Sequence, residues 1–147
     1  MAQDRIEREI VIEAPRERVW AVLTQAEHVA QWFGDSAEID LQPGGKAAFG
    51  WSEHGRHEAI VERVEPPDFF SYRWARKTDT APGAGEATLV EFTLSNHGNG
   101  TLLRVVETGF ASLNVTEEER SKASEENTQG WKSELAELKE YAEQPAA

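Results

Sequence analysis

Residues 127–143 read NTQGWKSELAELKEYAE, and Trp131, Leu135, Leu138 and Ala142 recur in them at spacings of four, three and four. Those intervals gather the four side chains on one face of a helix. Such a face must be covered, and what precedes it in the chain is an unbroken series of strand-like segments. The expected product is a sheet curved around one long helix, with an interior space whose size depends on the side chains between them. Asn114 and Thr116 are both candidate caps for an earlier start of this helix, where Glu117, Glu118 and Glu119 complement the helix dipole. Gly130 weakens its middle by about 1 kcal/mol relative to alanine, so it either permits close packing or marks a bend.

Working back from that helix, the strand pattern is explicit. Ile6, Ile10 and Ile12 alternate with polar residues and Arg8 breaks the series. Ala14-Pro15 leads into a helix carrying Val19, Trp20, Val22 and Leu23, which fades near Thr24. A second short helix runs from Ala26 to Phe33 and stops at Gly34. Ala37, Ile39 and Leu41 then alternate, Pro43-Gly44-Gly45 turns the chain, and Ala47, Phe49 and Trp51 follow. A strand from about Arg56 to Glu65 ends at Pro66-Pro67, and Phe70, Tyr72 and Trp74 share the next face. Residues 78–86, rich in Pro, Gly and Thr, read as a loop at the lip of the domain. Val90, Phe92 and Leu94 lead into Asn96-His97-Gly98-Asn99-Gly100, a hairpin signal, with Leu103, Val105 and Glu107 returning.

Composition narrows the classes. A chain of 147 residues with no internal repeat or low-complexity linker is read as a single domain over 1–147, its core spanning about 5–143. The apolar runs fall far short of the roughly 20 residues of a membrane crossing, so no membrane insertion is expected. Residues 1–5 lack the basic start and apolar stretch of a cleaved signal, and a cytoplasmic address follows. The absence of cysteine excludes disulfides and thiolate chemistry. A formal charge of -12 repels a phosphate backbone, so no nucleic-acid partner is expected.

The order of strand, two short helices, six strands and a long helix resembles the helix-grip superfamily of START and birch-pollen-allergen-type domains. Within it, the chain is most similar to the branch named after the C-terminal domain of the activator of Hsp90 ATPase. Ala14-Pro15 with Val19-Trp20, Gln31-Trp32-Phe33-Gly34, Pro43-Gly44-Gly45, Pro66-Pro67 with Tyr72 and Trp74, Gly100-Thr101 with Thr108-Gly109-Phe110, and Gly130-Trp131 with Leu135 and Leu138 carry the resemblance. It implies an α+β fold, a seven-stranded antiparallel sheet gripping the C-terminal helix around an apolar pocket. The chaperone activators carry an additional N-terminal domain, whereas the first strand here begins almost at once, so direct Hsp90 activation is not expected.

Taking the apolar face of each strand as inward places Phe49, Trp51, Tyr72, Trp74, Phe92, Trp131 and Leu135 beneath the helix, with Trp32 and Phe33 near one mouth. These and Glu107 are the candidate ligand-binding residues. The same stripe also reads as plain core, with the indoles filling the space. Glu107 and Arg8 both fall on the inward register. Either the two form a cross-strand ion pair, since the first and last strands are neighbours in the resembling fold, or Glu107 faces a ligand with its pKa raised by burial. His54 and His57 flank Gly55 in a turn without a third ligand, and no metal or other cofactor site is expected. Three functions remain open. The first is a noncatalytic receptor for an apolar or aromatic small molecule, lipid or polyketide-like. The second is a cyclase or dehydratase with Glu107 or His57 as acid or base, as in related helix-grip proteins. The third is a chaperone or stress-related interaction module, which calls for an exposed apolar patch around Trp32, Phe33 and the 78–86 loop.

Overall fold

In the computed structural model, residues 5–51, 55–75, 87–110 and 113–144 are described. The elements run β1 (Arg5–Ile12), α1 (Arg16–Thr24), α2 (Ala26–Trp32), β2 (Ser36–Ile39), β3 (Lys46–Trp51), β4 (Gly55–Glu65), β5 (Phe69–Ala75), β6 (Ala87–His97), β7 (Gly100–Thr108) and α3 (Glu117–Ala142). All strands join one antiparallel sheet in the order β1-β7-β6-β5-β4-β3-β2. This is the expected helix-grip architecture. The first strand crosses to pair with the last because α1 and α2 carry the chain from one edge of the sheet to the other.

Period-two alternation sets the two faces of the sheet. Phe92 and Leu94 on β6 stand opposite Val105 and Leu103 on β7, and Val90 stands opposite Glu107, all buried on the inner face. The opposite face carries exposed charge, and ion pairs of Arg104 with Glu7, Arg73 with Glu62, and Arg56 with Glu38 cross it between strands. Such exposed pairs keep that face wet and contribute little to stability. A register shift between Val61 and Arg63 interrupts the β4–β5 ladder, an irregularity of the kind that increases local bending and twist.

The closing helix starts where Thr116 caps it: the Thr116 hydroxyl accepts from Glu119 N at 3.2 Å and donates to Glu119 Oε1 at 3.1 Å. Thr116, not Asn114, is therefore the cap. At its other end α3 is clasped to the first strand. Lys139 Nζ donates to Val11 O at 2.9 Å, and the Glu143 carboxylate accepts from Glu13 N at 2.8 Å. Between these anchors Trp131, Leu135, Leu138 and Ala142 are buried, as their spacing requires.

Candidate functional site

Beneath the first half of α3 the core opens into a cavity of about 300 Å³, at the small end of ligand-sized pockets. Phe33, Trp51, Trp74, Trp131, Phe110 and Leu113 supply its apolar wall. Polar groups are few: His57 and Thr88 from the sheet, and Glu126, Asn127 and Glu134 from the helix. Small residues make the space. Ala75 ends β5 at the wall, Ala123 and Gly130 sit on the helix above it, and a Cβ built on Gly130 meets no atom within 4 Å. Gly130 thus makes no close packing contact among the described residues, and α3 stays helical on both sides of it. Itself exposed, it is part of the cavity lining.

The aromatic wall is ordered around Phe33, which follows α2 directly. Its ring lies parallel to Trp131, at 6° with centroids 5.7 Å apart, and stacks on Trp74 at the same separation. Trp51 meets it edge-on at 5.0 Å. Trp74 and Trp131 are 5.9 Å apart, so strand β5 and helix α3 are joined through their indoles. His57 packs between Trp51 and Trp74, and its Nδ1 lies 3.0 Å from Ala75 O. A carbonyl only accepts, so Nδ1 carries the proton of that bond.

Glu107 lies directly behind this wall, fully buried. Trp131 Nε1 donates to it at 2.8 Å, Trp74 Nε1 at 2.9 Å, Asn127 Nδ2 to both oxygens at 2.9 and 3.1 Å, and Thr88 Oγ1 at 2.5 Å. Burial pushes the Glu107 carboxyl up, while the bonds from Thr88, Trp74, Trp131 and Asn127 pull it back down. Four neutral donors from two strands and the helix thus converge on one carboxylate. They solvate it in place of water and tie α3 to the sheet. Burial, and secondarily the Glu107 charge, raises the Tyr72 phenol well above its ordinary value.

The expected ion pair between Arg8 and Glu107 is not formed. In the β1–β7 ladder Ile6 stands opposite Glu107, and Arg8 stands opposite Val105. The carboxylate is already saturated by the indole, amide and hydroxyl donors, and no ion pair of Arg8 occurs among the described residues. Glu134 has the contrary environment. It lines the cavity half-buried, its Oε2 is shielded and has no hydrogen-bond partner among the described residues, and its pKa is pushed up to about 7 by burial and by neighbouring Glu137.

Of the residues singled out from the sequence, Phe33, Trp51, His57, Trp74 and Trp131 come together on the cavity wall. Phe49, Tyr72, Phe92 and Leu135 are packed into the adjoining core, and Trp32 is buried with its Nε1 donating to Val22 O at 2.8 Å. Trp32 and Phe33 contribute nothing to the exposed patch expected around them and the 78–86 loop, because both rings turn inward and are at most 3% exposed. His54 and residues 78–86 lie outside the described residues. Sequence reading missed Thr88, Phe110, Leu113, Asn127 and Glu134. A signal existed for Asn127, which is four residues before Trp131 on the same helix face. Phe110 and Leu113 lie in irregular chain and carry no periodicity.

Among the described residues no helix is long and apolar enough to cross a membrane. No curated protein matches the chain. Solved structures share its fold. The protein MLL2253 from Mesorhizobium loti is 21% identical with a TM-score of 0.80, covering 97% of this chain and 99% of that one. The Aha1 dimer from Colwellia psychrerythraea is 18% identical with a TM-score of 0.76, covering 96% and 97%. DynU16, from the dynemicin biosynthetic locus, is 24% identical with a TM-score of 0.77 over 96% of this chain, which spans about half (48%) of DynU16. The sequence model of the Activator of Hsp90 ATPase homolog 1-like protein family matches residues 13–143. With the motifs, the strand order and the gripped helix all agreeing, the chain belongs to that family.

Proposed function

We propose that this protein is a noncatalytic receptor that shelters an apolar or aromatic small molecule between its sheet and its long helix. The observation that carries this reading is the cavity of about 300 Å³ bounded by indole and phenyl rings, with Gly130 leaving the helix bare above it. Burial of ligand surface supplies affinity at about 25 cal/mol per Å². Thr88, Asn127 and His57 orient the polar end. Glu107 has no part in proton transfer on this reading, because its oxygens are occupied by four donors and the wall lies between it and the cavity.

Native mass spectrometry of the freshly purified chain, followed by titration with the uncharged dye N-phenylnaphthylamine, tests the proposal. A copurified small molecule or saturable dye binding is expected. Gly130→Leu then lowers dye affinity at least about tenfold while the helix gains about 1 kcal/mol from the better helix former. A chain that carries no ligand and does not bind the dye overturns the receptor reading.

A second reading has one observation in its favour. His57 lines the cavity with Nδ1 donating to Ala75 O, which leaves Nε2 as the ring nitrogen whose lone pair could act as a general base. Similarity to a protein of a biosynthetic locus fits that reading as well as it fits binding. A mass change in the copurified molecule on incubation would favour it.

A further inference from the structure

Among the described residues, the charges around the cavity all have one sign. Glu126 and Glu134 stand on the helical wall, Glu107 lies behind the indoles, and among the described residues no Lys or Arg lines the space. Glu126 has Lys122 4.0 Å away at the surface. Glu134 has no such partner among the described residues, and one of its oxygens is shielded without a hydrogen bond. A fatty-acid carboxylate or a phosphorylated lipid entering here would meet carboxylates and, among the described residues, no counter-charge. The apolar wall is itself electrically biased, since three of its rings are indoles, whose faces attract cations more strongly than those of tyrosine or phenylalanine. Trp74 and Trp131 also donate their N–H groups to the Glu107 carboxylate. That bond shifts electron density onto both rings and adds an anion behind them.

Accepting the cavity as a binding site, we infer that it selects a small organic cation: an ammonium group on an apolar or aromatic frame, seated against Trp51, Trp74 and Trp131 and beside Glu134. Two features cooperate in this seat. The rings replace the water that the ammonium loses, and the unpaired carboxylate supplies the counter-charge. Each favours a cation over a neutral hydrocarbon of the same shape, and together they set the preference.

The test is a tryptophan-fluorescence titration with benzyltrimethylammonium and with neopentylbenzene, its uncharged carbon isostere. It is run at about pH 8, above the Glu134 value of about 7, so that the carboxylate is ionised. The cation is expected to bind about tenfold more tightly than the isostere. Glu134→Gln, which removes an unpaired charge and so does not threaten folding, is expected to lower cation affinity about fivefold and leave the isostere unchanged. Equal or tighter binding of the isostere overturns the cation seat while leaving an apolar receptor standing. Cation affinity indifferent to Glu134→Gln overturns the role of Glu134. Binding of neither probe overturns both this inference and the receptor reading beneath it.

Discussion

The two halves of α3 face the same sheet and do opposite things. From Leu135 to Ala142 the inward positions are Leu135, Leu138 and Ala142, all buried against the core, and Lys139 fastens the backbone to β1. From Ala123 to Glu134 the positions over the sheet are Ala123, Asn127, Gly130 and Glu134, which are small or polar and bound an open space. Trp131 stands at the junction, its ring on the cavity and its N–H on Glu107. The contrast shows how one helix can both close a core and roof a cavity. The second half supplies stability through close packing, which permits the first half to leave volume empty and carry partly buried charge.

The largest effect should come from breaking the packed half. Leu138 is fully buried, and truncation of such a leucine costs the transfer of its methyl groups and leaves a void. Leu138→Ala is expected to lower unfolding free energy by about 3 kcal/mol in urea denaturation. A loss below about 1 kcal/mol would mean that this half of the helix is as loosely packed as the other.

The junction comes next. Glu107→Gln keeps the shape of the side chain but puts an amide N–H₂ among donors, so at least one indole, amide or hydroxyl donor loses its acceptor. Calorimetry should show a loss of about 2 kcal/mol. The indole emission of Trp74 and Trp131, both bonded to Glu107, should shift with it. An unchanged melting temperature would mean that the carboxylate does not tie the halves of the site together.

That junction is also where sequence reading stopped. The stripe at 131, 135, 138 and 142 and the alternation on β6 and β7 were legible because burial on one face imposes a period, and the fold followed from their order. Glu107 was legible as an inward charge, but not its partners. Periodicity counts tryptophan as apolar and overlooks its single donor, which must find an acceptor once buried. Two indoles on the inward face and one inward carboxylate are therefore a matched set. Opposite charges on neighbouring strands are the more familiar remedy for a buried carboxylate, and they point to Arg8 instead. The cavity was legible only as a possibility, because whether aromatic rings fill a space or wall it depends on their rotamers. Here Phe49, Tyr72 and Phe92 fill, while Trp51, Trp74 and Trp131 wall.

The smallest effect separates the halves by pH. Glu134 titrates at about 7 in the folded chain, raised from an ordinary 4.5 by burial and then by Glu137. Between those values the folded state holds a proton that the unfolded state has released, so stability falls as pH rises through this window and is flat on either side. Because the group is about half exposed, solvent screening reduces the contribution to about 1 kcal/mol. Glu134→Gln cannot titrate, so its stability relative to the parent should be level below about pH 4.5, climb to about pH 7 and stay constant above. Glu107, also raised by burial, is present in both chains, so its own pH dependence is common to both and drops out of the difference. Urea denaturation of the two proteins across this range reads the effect directly. A difference that does not vary with pH would place Glu134 in water and assign the open half no partly buried charge.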